Sequence, residues 1–180
     1  MKSKSLAVMV ASVALMLSLA GCSDPVTSTN DTFDKTSATT SSVQEKTLEK
    51  LYSDYISNPA IQNFKDISGD SDKLISALQN MDLDAAKEAK AGIDEKCDAV
   101  INLEVDDRIT STHEPLIQAA KSYQSAAQYY TDAIEKMADD PSEANVLLES
   151  GNDKINEVSA YMHSAKNALD DLKKRVAEEQ

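Results

Sequence analysis

From residue 43 onward the chain is written in the spacing of helices. Apolar residues recur every three or four positions with charged residues between them, the period of an amphipathic helix and not the strict alternation of a strand. Leu116, Ala120, Tyr123, Ala127, Tyr130, Ile134 and Met137 alternate steps of four and three without a miss. Leu148, Gly151, Ile155, Val158, Met162, Ala165, Leu169, Leu172 and Val176 do the same. A sustained mean period of about 3.5 residues brings neighbouring helices together knobs-into-holes with a gentle left-handed supercoil. A third stretch, about Asp72 to Glu104, carries Leu74, Leu78, Met81, Ala85, Ala89, Ile93, Cys97 and Val100 on one face. Asp82 would cap a break after Met81, but the apolar phase runs through it, so the spacing predicts one continuous helix.

Short connections near 105–107 and 138–140 force antiparallel neighbours. The predicted fold is therefore all-α: an antiparallel up-down bundle of three long helices with coiled-coil-like packing. Pro115 offers a second place for the first turn. Asp140-Pro141 opens the last helix as a cap followed by a proline at the first helical position. Counting outward from that turn pairs Tyr130 with Leu148, Ala127 with Gly151, Tyr123 with Ile155 and Ala120 with Val158, so that small faces small at Gly151.

One or two short helices precede the bundle. Ser42-Val43-Gln44-Glu45 is a capping box, followed by Leu48, Leu51, Tyr52, Tyr55 and Ile56 on one face. Asn58-Pro59 stops that helix and starts another through Ile61, Phe64 and Ile67, with Gly69 as its terminator. Asp66, Ser68, Asp70 and Asp72 resemble the first ligands of a calcium loop. However, Ser71 and Ala77 stand where the loop's glycine and bidentate glutamate belong, so the segment reads as a solvated acidic linker.

The chain's start has a different texture. Lys2 and Lys4 precede an apolar run from Leu6 to Leu19, the charged and hydrophobic regions of an export signal, and too short for the ~20 residues that span a bilayer. It closes on Leu19-Ala20-Gly21-Cys22. These four residues match the lipobox, and in them the chain resembles the prokaryotic membrane lipoproteins. That resemblance implies a diacylglyceryl group (palmitate-like chains) on the Cys22 thiol and cleavage just before it. Residues 1–21 are then a signal peptide and 22–42 a tether. The tether is dominated by Ser, Thr, Asp and Asn with Phe33 its only large apolar side chain, too little to offset the entropy of ordering. About 20 flexible residues reach roughly 25 Å. Asn30-Asp31-Thr32 is a glycosylation sequon, and a bare spacer is the simpler reading. The folded domain spans 43–180.

Charge narrows the partners. The full chain carries −13, and removing Lys2 and Lys4 makes the mature chain −15. An acidic surface argues against nucleic acid and against adhesion to anionic lipid, leaving the membrane contact to the lipid. The expected function is a lipid-anchored, extracytoplasmic protein-binding or structural module at the cell surface, through a protein partner or self-association. Tyr129, beside the seam, is the candidate for an apolar docking strip.

Catalysis is not expected. No phosphate-binding glycine loop, nucleophile elbow or metalloprotease helix is present, and no cofactor is implied. One constellation supports an alternative, a ligand- or metal-responsive carrier or sensor. With the first turn near 106, Cys97, His113, Met162 and His163 map to one end of the bundle, a donor set suited to Cu(I) or, without the methionine, Zn(II). A turn at Pro115 would separate them. Cys97 also reads simply as a small buried hydrophobe.

Overall fold

The computed structural model describes residues 46–179, and every regular element among them is helical. In chain order these are α1 (Leu48–Ser57), α2 (Pro59–Lys65), α3 (Ser68–Asn80), α4 (Leu83–Ile101), α5 (Thr110–Lys136) and α6 (Pro141–Glu178), with a 3-10 turn at Asp107–Ile109 leading into α5. The all-α fold stands. The signal peptide, Cys22, the tether and the box at Ser42–Glu45 lie outside the described residues. The cap of α1 is Thr47, whose side-chain oxygen accepts the Lys50 amide at 3.2 Å. Asn58 and Pro59 act as expected: Asn58 Oδ1 accepts the Ala60 amide at 2.9 Å while Pro59 takes the first helical position. Gly69 does not end a helix. It sits in the first turn of α3, and no described glycine has positive φ.

The continuous helix expected from 72 to 104 is two helices, α3 and α4. Met81 turns into the left-handed region at φ 55° and ψ 36°. The Met81 amide returns to the Leu78 carbonyl at 3.3 Å and the Asp82 amide to the Ala77 carbonyl at 2.9 Å, a Schellman-type closure. Asp82 then caps α4 by accepting the Ala85 amide at 3.0 Å. The apolar phase survives the turn because α3 folds back and both helices turn the same stripe toward one core. Three long helices thus become two, α5 and α6, with the shorter α3–α4 hairpin beside them.

The next turn falls near 106, where Asp106 Oδ1 accepts the Arg108 amide at 3.0 Å. Pro115 lies inside α5. Its missing N–H leaves the Ser111 carbonyl unserved within the helix, and Ser111 is exposed to water, which moderates the cost. At the last turn Asp140 Oδ1 accepts both the Ser142 and Glu143 amides, at 3.1 and 3.0 Å, with Pro141 leading α6.

α5 is the central helix. It packs along α6 through the largest helix interface of the domain, and against α4 and α3 elsewhere. It therefore buries Ala119, Ala126 and Ala133 as well as the seam residues Leu116, Ala120, Ala127 and Ile134, a wider apolar face than one seam. α5 and α6 run antiparallel: Tyr130 Oη donates to Asn152 Oδ1 at 2.8 Å, and Ser122 Oγ to Glu157 Oε2 at 3.0 Å. The 38 residues of α6 extend about 57 Å at 1.5 Å per residue and outrun α5. The start of α1 meets the far end of α6, where Arg108 Nη1 donates to the Lys46 carbonyl at 2.9 Å and the Arg175 guanidinium reaches the Arg108 carbonyl at 3.4 Å.

Candidate functional site

The four residues singled out as metal donors do not form one site. Among the described residues no three His, Cys, Asp or Glu side chains converge closely enough to hold a metal ion. His163 is exposed and Met162 buried. Cys97 is fully buried on α4. Burial, and then the Asp94 and Asp98 carboxylates, push its thiol well up, so it packs as a neutral, inert hydrophobe.

His113 is buried on α5, and both of its ring nitrogens are engaged. Nε2 lies 3.1 Å from the Val100 carbonyl at the end of α4, and Nδ1 lies 3.1 Å from the Tyr55 hydroxyl on α1. The two rings meet edge-on, 5.7 Å between centroids and 84° between planes. Burial lowers the imidazole pKa, opposed by the Val100 carbonyl and the Glu114 carboxylate. Burial likewise raises that of the Tyr55 phenol. A ring so placed has no free lone pair for a metal and ties three helices together.

A second polar centre lies in the segment read as a solvated linker. Asp70 is buried in the first turn of α3. Its carboxylate takes Lys96 Nζ at 2.6 Å and Lys73 Nζ at 2.9 Å, and Lys96 also reaches the Asp66 carbonyl at 3.2 Å. The bond from Lys96, more than any other influence, holds the Asp70 pKa below the usual carboxylate value. Gly92 on α4 makes the approach possible, since a Cβ there would lie 2.9 Å from the Asp70 carboxyl carbon. The signal was available in the sequence, because Asp70 falls on the apolar face shared by Ile67, Leu74 and Ala77.

The tyrosines bind helices together. Tyr123 meets Phe64 edge-on at 6.5 Å, and its hydroxyl accepts from Ser71 Oγ at 3.1 Å. Tyr130 lies over Gly151, where a Cβ would come within 2.6 Å of its ring, and burial pushes its phenol up to about 12. The residue fitted against Gly151 is therefore a large ring, a correction to the small-on-small pairing with Ala127. Tyr129 is half-buried, and the large apolar side chains standing in solvent among the described residues are Met81 and Val146.

No helix among the described residues is long and apolar enough to cross a membrane. The chain matches no protein-family model, and neither a curated protein nor a solved structure shows significant similarity to it.

Proposed function

We propose that this chain is a lipid-anchored, extracytoplasmic helical module that acts by binding a protein partner and not by catalysis. The observation that carries the reading is the lipobox Leu19-Ala20-Gly21-Cys22 behind a charged and apolar leader. A diacylated cysteine supplies the two acyl chains that stable membrane retention requires. The folded body then hangs from a tether of about 20 residues, long enough to clear the headgroups.

On this reading the body has an anchored end and a free end. The chain enters at Lys46, beside Arg108 and the last turns of α6. Gln124 on α5 lies against Asp98 on α4 at 2.8 Å. From this contact and that of His113 with Val100, α4 runs back to the Met81-Asp82 turn and α5 runs on to the Asp139-Asp140 turn, so both turns lie toward the opposite end. That end faces outward, with α4, α5 and α6 as an up-down rod behind it. A mature charge of −15, from −13 less the two leader lysines, favours a partner with basic surface over nucleic acid or anionic lipid.

The test is anchoring itself. Metabolic labelling with radioactive palmitate should mark the wild-type chain in the membrane fraction, and Cys22→Ala should abolish the label and release the chain to the soluble fraction. An unlabelled wild-type chain, or a Cys22→Ala chain still retained on membranes, removes the reading.

A further inference from the structure

We propose that His113 is an acid-sensitive latch: its neutral ring bridges Tyr55 on α1 to the end of α4, and a second ring proton breaks that bridge and frees α1 from the body. The tautomer follows from elementary chemistry. A carbonyl oxygen only accepts, so Nε2, 3.1 Å from the Val100 oxygen, carries the ring proton. Nδ1 is then the acceptor, and the Tyr55 hydroxyl 3.1 Å away is its donor. Among the described residues no buried side-chain nitrogen or oxygen lacks a partner, and the neutral bridge is part of that balance.

Protonation upsets it twice. With a proton on Nδ1 the Tyr55 oxygen can only accept from the ring, so its own hydroxyl proton must rotate away and is left unserved in a buried site. The added charge also sits on a ring only 2% exposed, where an ion without a close partner is strongly disfavoured. The groups packed around it supply no matching counter-charge. From α1 comes the Tyr55 phenol, and from α4 the Val100 carbonyl with the neutral Cys97 thiol one turn earlier. From α5 comes the exposed Glu114 carboxylate, the charge that acts on the ring. Nearby, Lys96 pairs with Asp70, Asp98 holds Gln124 and Asp106 pairs with Arg108, while Glu104 and Asp107 face solvent. On α6, Lys166 and Asp170 are exposed and Asp171 pairs with Lys174.

The direction with pH follows. Burial keeps the docked imidazole below its ordinary value of 6.5, whereas the released ring binds a proton near that value. Docking is therefore fully favoured above about pH 6.5 and weakens as pH falls below it. α1 is the element positioned to respond. It is ten residues long and, besides the Tyr55–His113 contact with α5, packs mainly against α2, the 3-10 turn and α6, so it opens before the central helices do. It is also where the N-terminal segment joins the body, so its release lengthens that segment by α1.

The experiment is amide hydrogen exchange on the full chain at pH 7.5 and 5.5, corrected for intrinsic exchange. Over this range most carboxylates keep their charge. Protection of the Leu51 and Tyr55 amides should fall by up to about tenfold, the limit for one proton over one pH unit below 6.5. The Ala126 and Ala127 amides of α5 should hold. His113→Gln offers an amide N–H and a carbonyl oxygen to the same partners without titrating, and its α1 protection should stay flat. Flat protection in the wild type, or an equal fall in His113→Gln, overturns the latch. If His113→Gln fails to fold, the ring nitrogen resonances of wild-type His113 decide. A neutral Nε2–H ring that protonates together with the loss of α1 protection upholds the proposal. Titration at or above pH 6.5 with α1 still docked overturns it.

Discussion

The two helical hairpins of this domain use one device with opposite chemistries. In each, a glycine on one helix makes room for a side chain pressed in from the other. On α6, Gly151 admits the ring of Tyr130, and on α4, Gly92 admits the carboxylate of Asp70. Either glycine costs its helix about 1 kcal/mol relative to alanine, so each must be offset by what it lets in. In α5–α6 that is an aromatic ring continuing an apolar seam, and in α3–α4 it is an ion pair within an apolar face. The seam of α5–α6 is visible as periodicity. The closure of α3–α4 is not, because periodicity reports which face is buried and is silent about a polar group that closes a turned-back pair.

The largest effect is expected where α2, outside both hairpins, packs on α4 and reaches α5. Phe64, 2% exposed, packs edge-on against Tyr123 of α5 and pins the N-terminal half to the central helix. Phe64→Ala should lower stability by about 3–5 kcal/mol, read as the midpoint of urea unfolding. A loss below about 1 kcal/mol would mean that α2 contributes little to the packing of the body. The next test removes charge and keeps shape. Asp70→Asn should cost about 1–3 kcal/mol near neutral pH. The carboxylate's pKa is lowered in the folded state, chiefly by the Lys96 bond, from a value of 3.8. Its contribution is therefore present above about pH 4 and lost as pH falls through the folded value. The gap between wild type and Asp70→Asn should close on acidification, and a gap that stayed constant to pH 2 would deny the ion pair its role.

The same contrast marks what could be read without coordinates. α6 was legible from Asp140 to Val176 because a side-chain cap, a proline at the first helical position and an unbroken three-four alternation all agree. The Met81-Asp82 turn was signalled only by Asp82 as a cap, and the periodicity overrode it because a reversal that keeps the apolar phase leaves no break in the spacing. The pairing at Gly151 was missed for a directional reason. Side chains on a helix lean toward its N-terminus, so Tyr130 reaches past the level of Leu148 to Gly151 on the antiparallel partner. The position of His113 on an apolar face was legible too, but its partner Tyr55 lies 58 residues earlier on a helix whose docking no local spacing encodes. Cys97, His113 and His163 share a region only if turns are counted, and counting turns does not orient side chains.

A finer cut comes from the glycines themselves. Alanine at either position gains about 1 kcal/mol of helix propensity but forces a contact under 3 Å, for which overpacking costs typically about 1–3 kcal/mol. Gly151→Ala and Gly92→Ala should therefore each come out destabilising, by about 1 kcal/mol in thermal unfolding. The hairpins separate in the double variants. With Asp70→Ala the obstruction at Gly92 disappears, and Gly92→Ala added to it should become stabilising by about 1 kcal/mol. If the cost of Gly92→Ala survives without the carboxylate, Asp70 is not what the glycine admits.

Gly69 supplies the smallest effect and the control for the whole series. It is helical, exposed and without positive φ, and a Cβ there would meet nothing within 4 Å. Nothing in the fold asks for glycine at this position. Its freedom only widens the unfolded ensemble, so Gly69→Ala should stabilise the domain by about 0.5 kcal/mol, a shift of a few degrees in melting midpoint for a domain of this size. The three glycines then order themselves by what lies opposite: open water, a carboxylate, a ring. Should Gly69→Ala destabilise instead, the first turn of α3 is under a constraint that its backbone angles do not reveal. The penalties at Gly92 and Gly151 would then no longer be attributable to the side chains facing them.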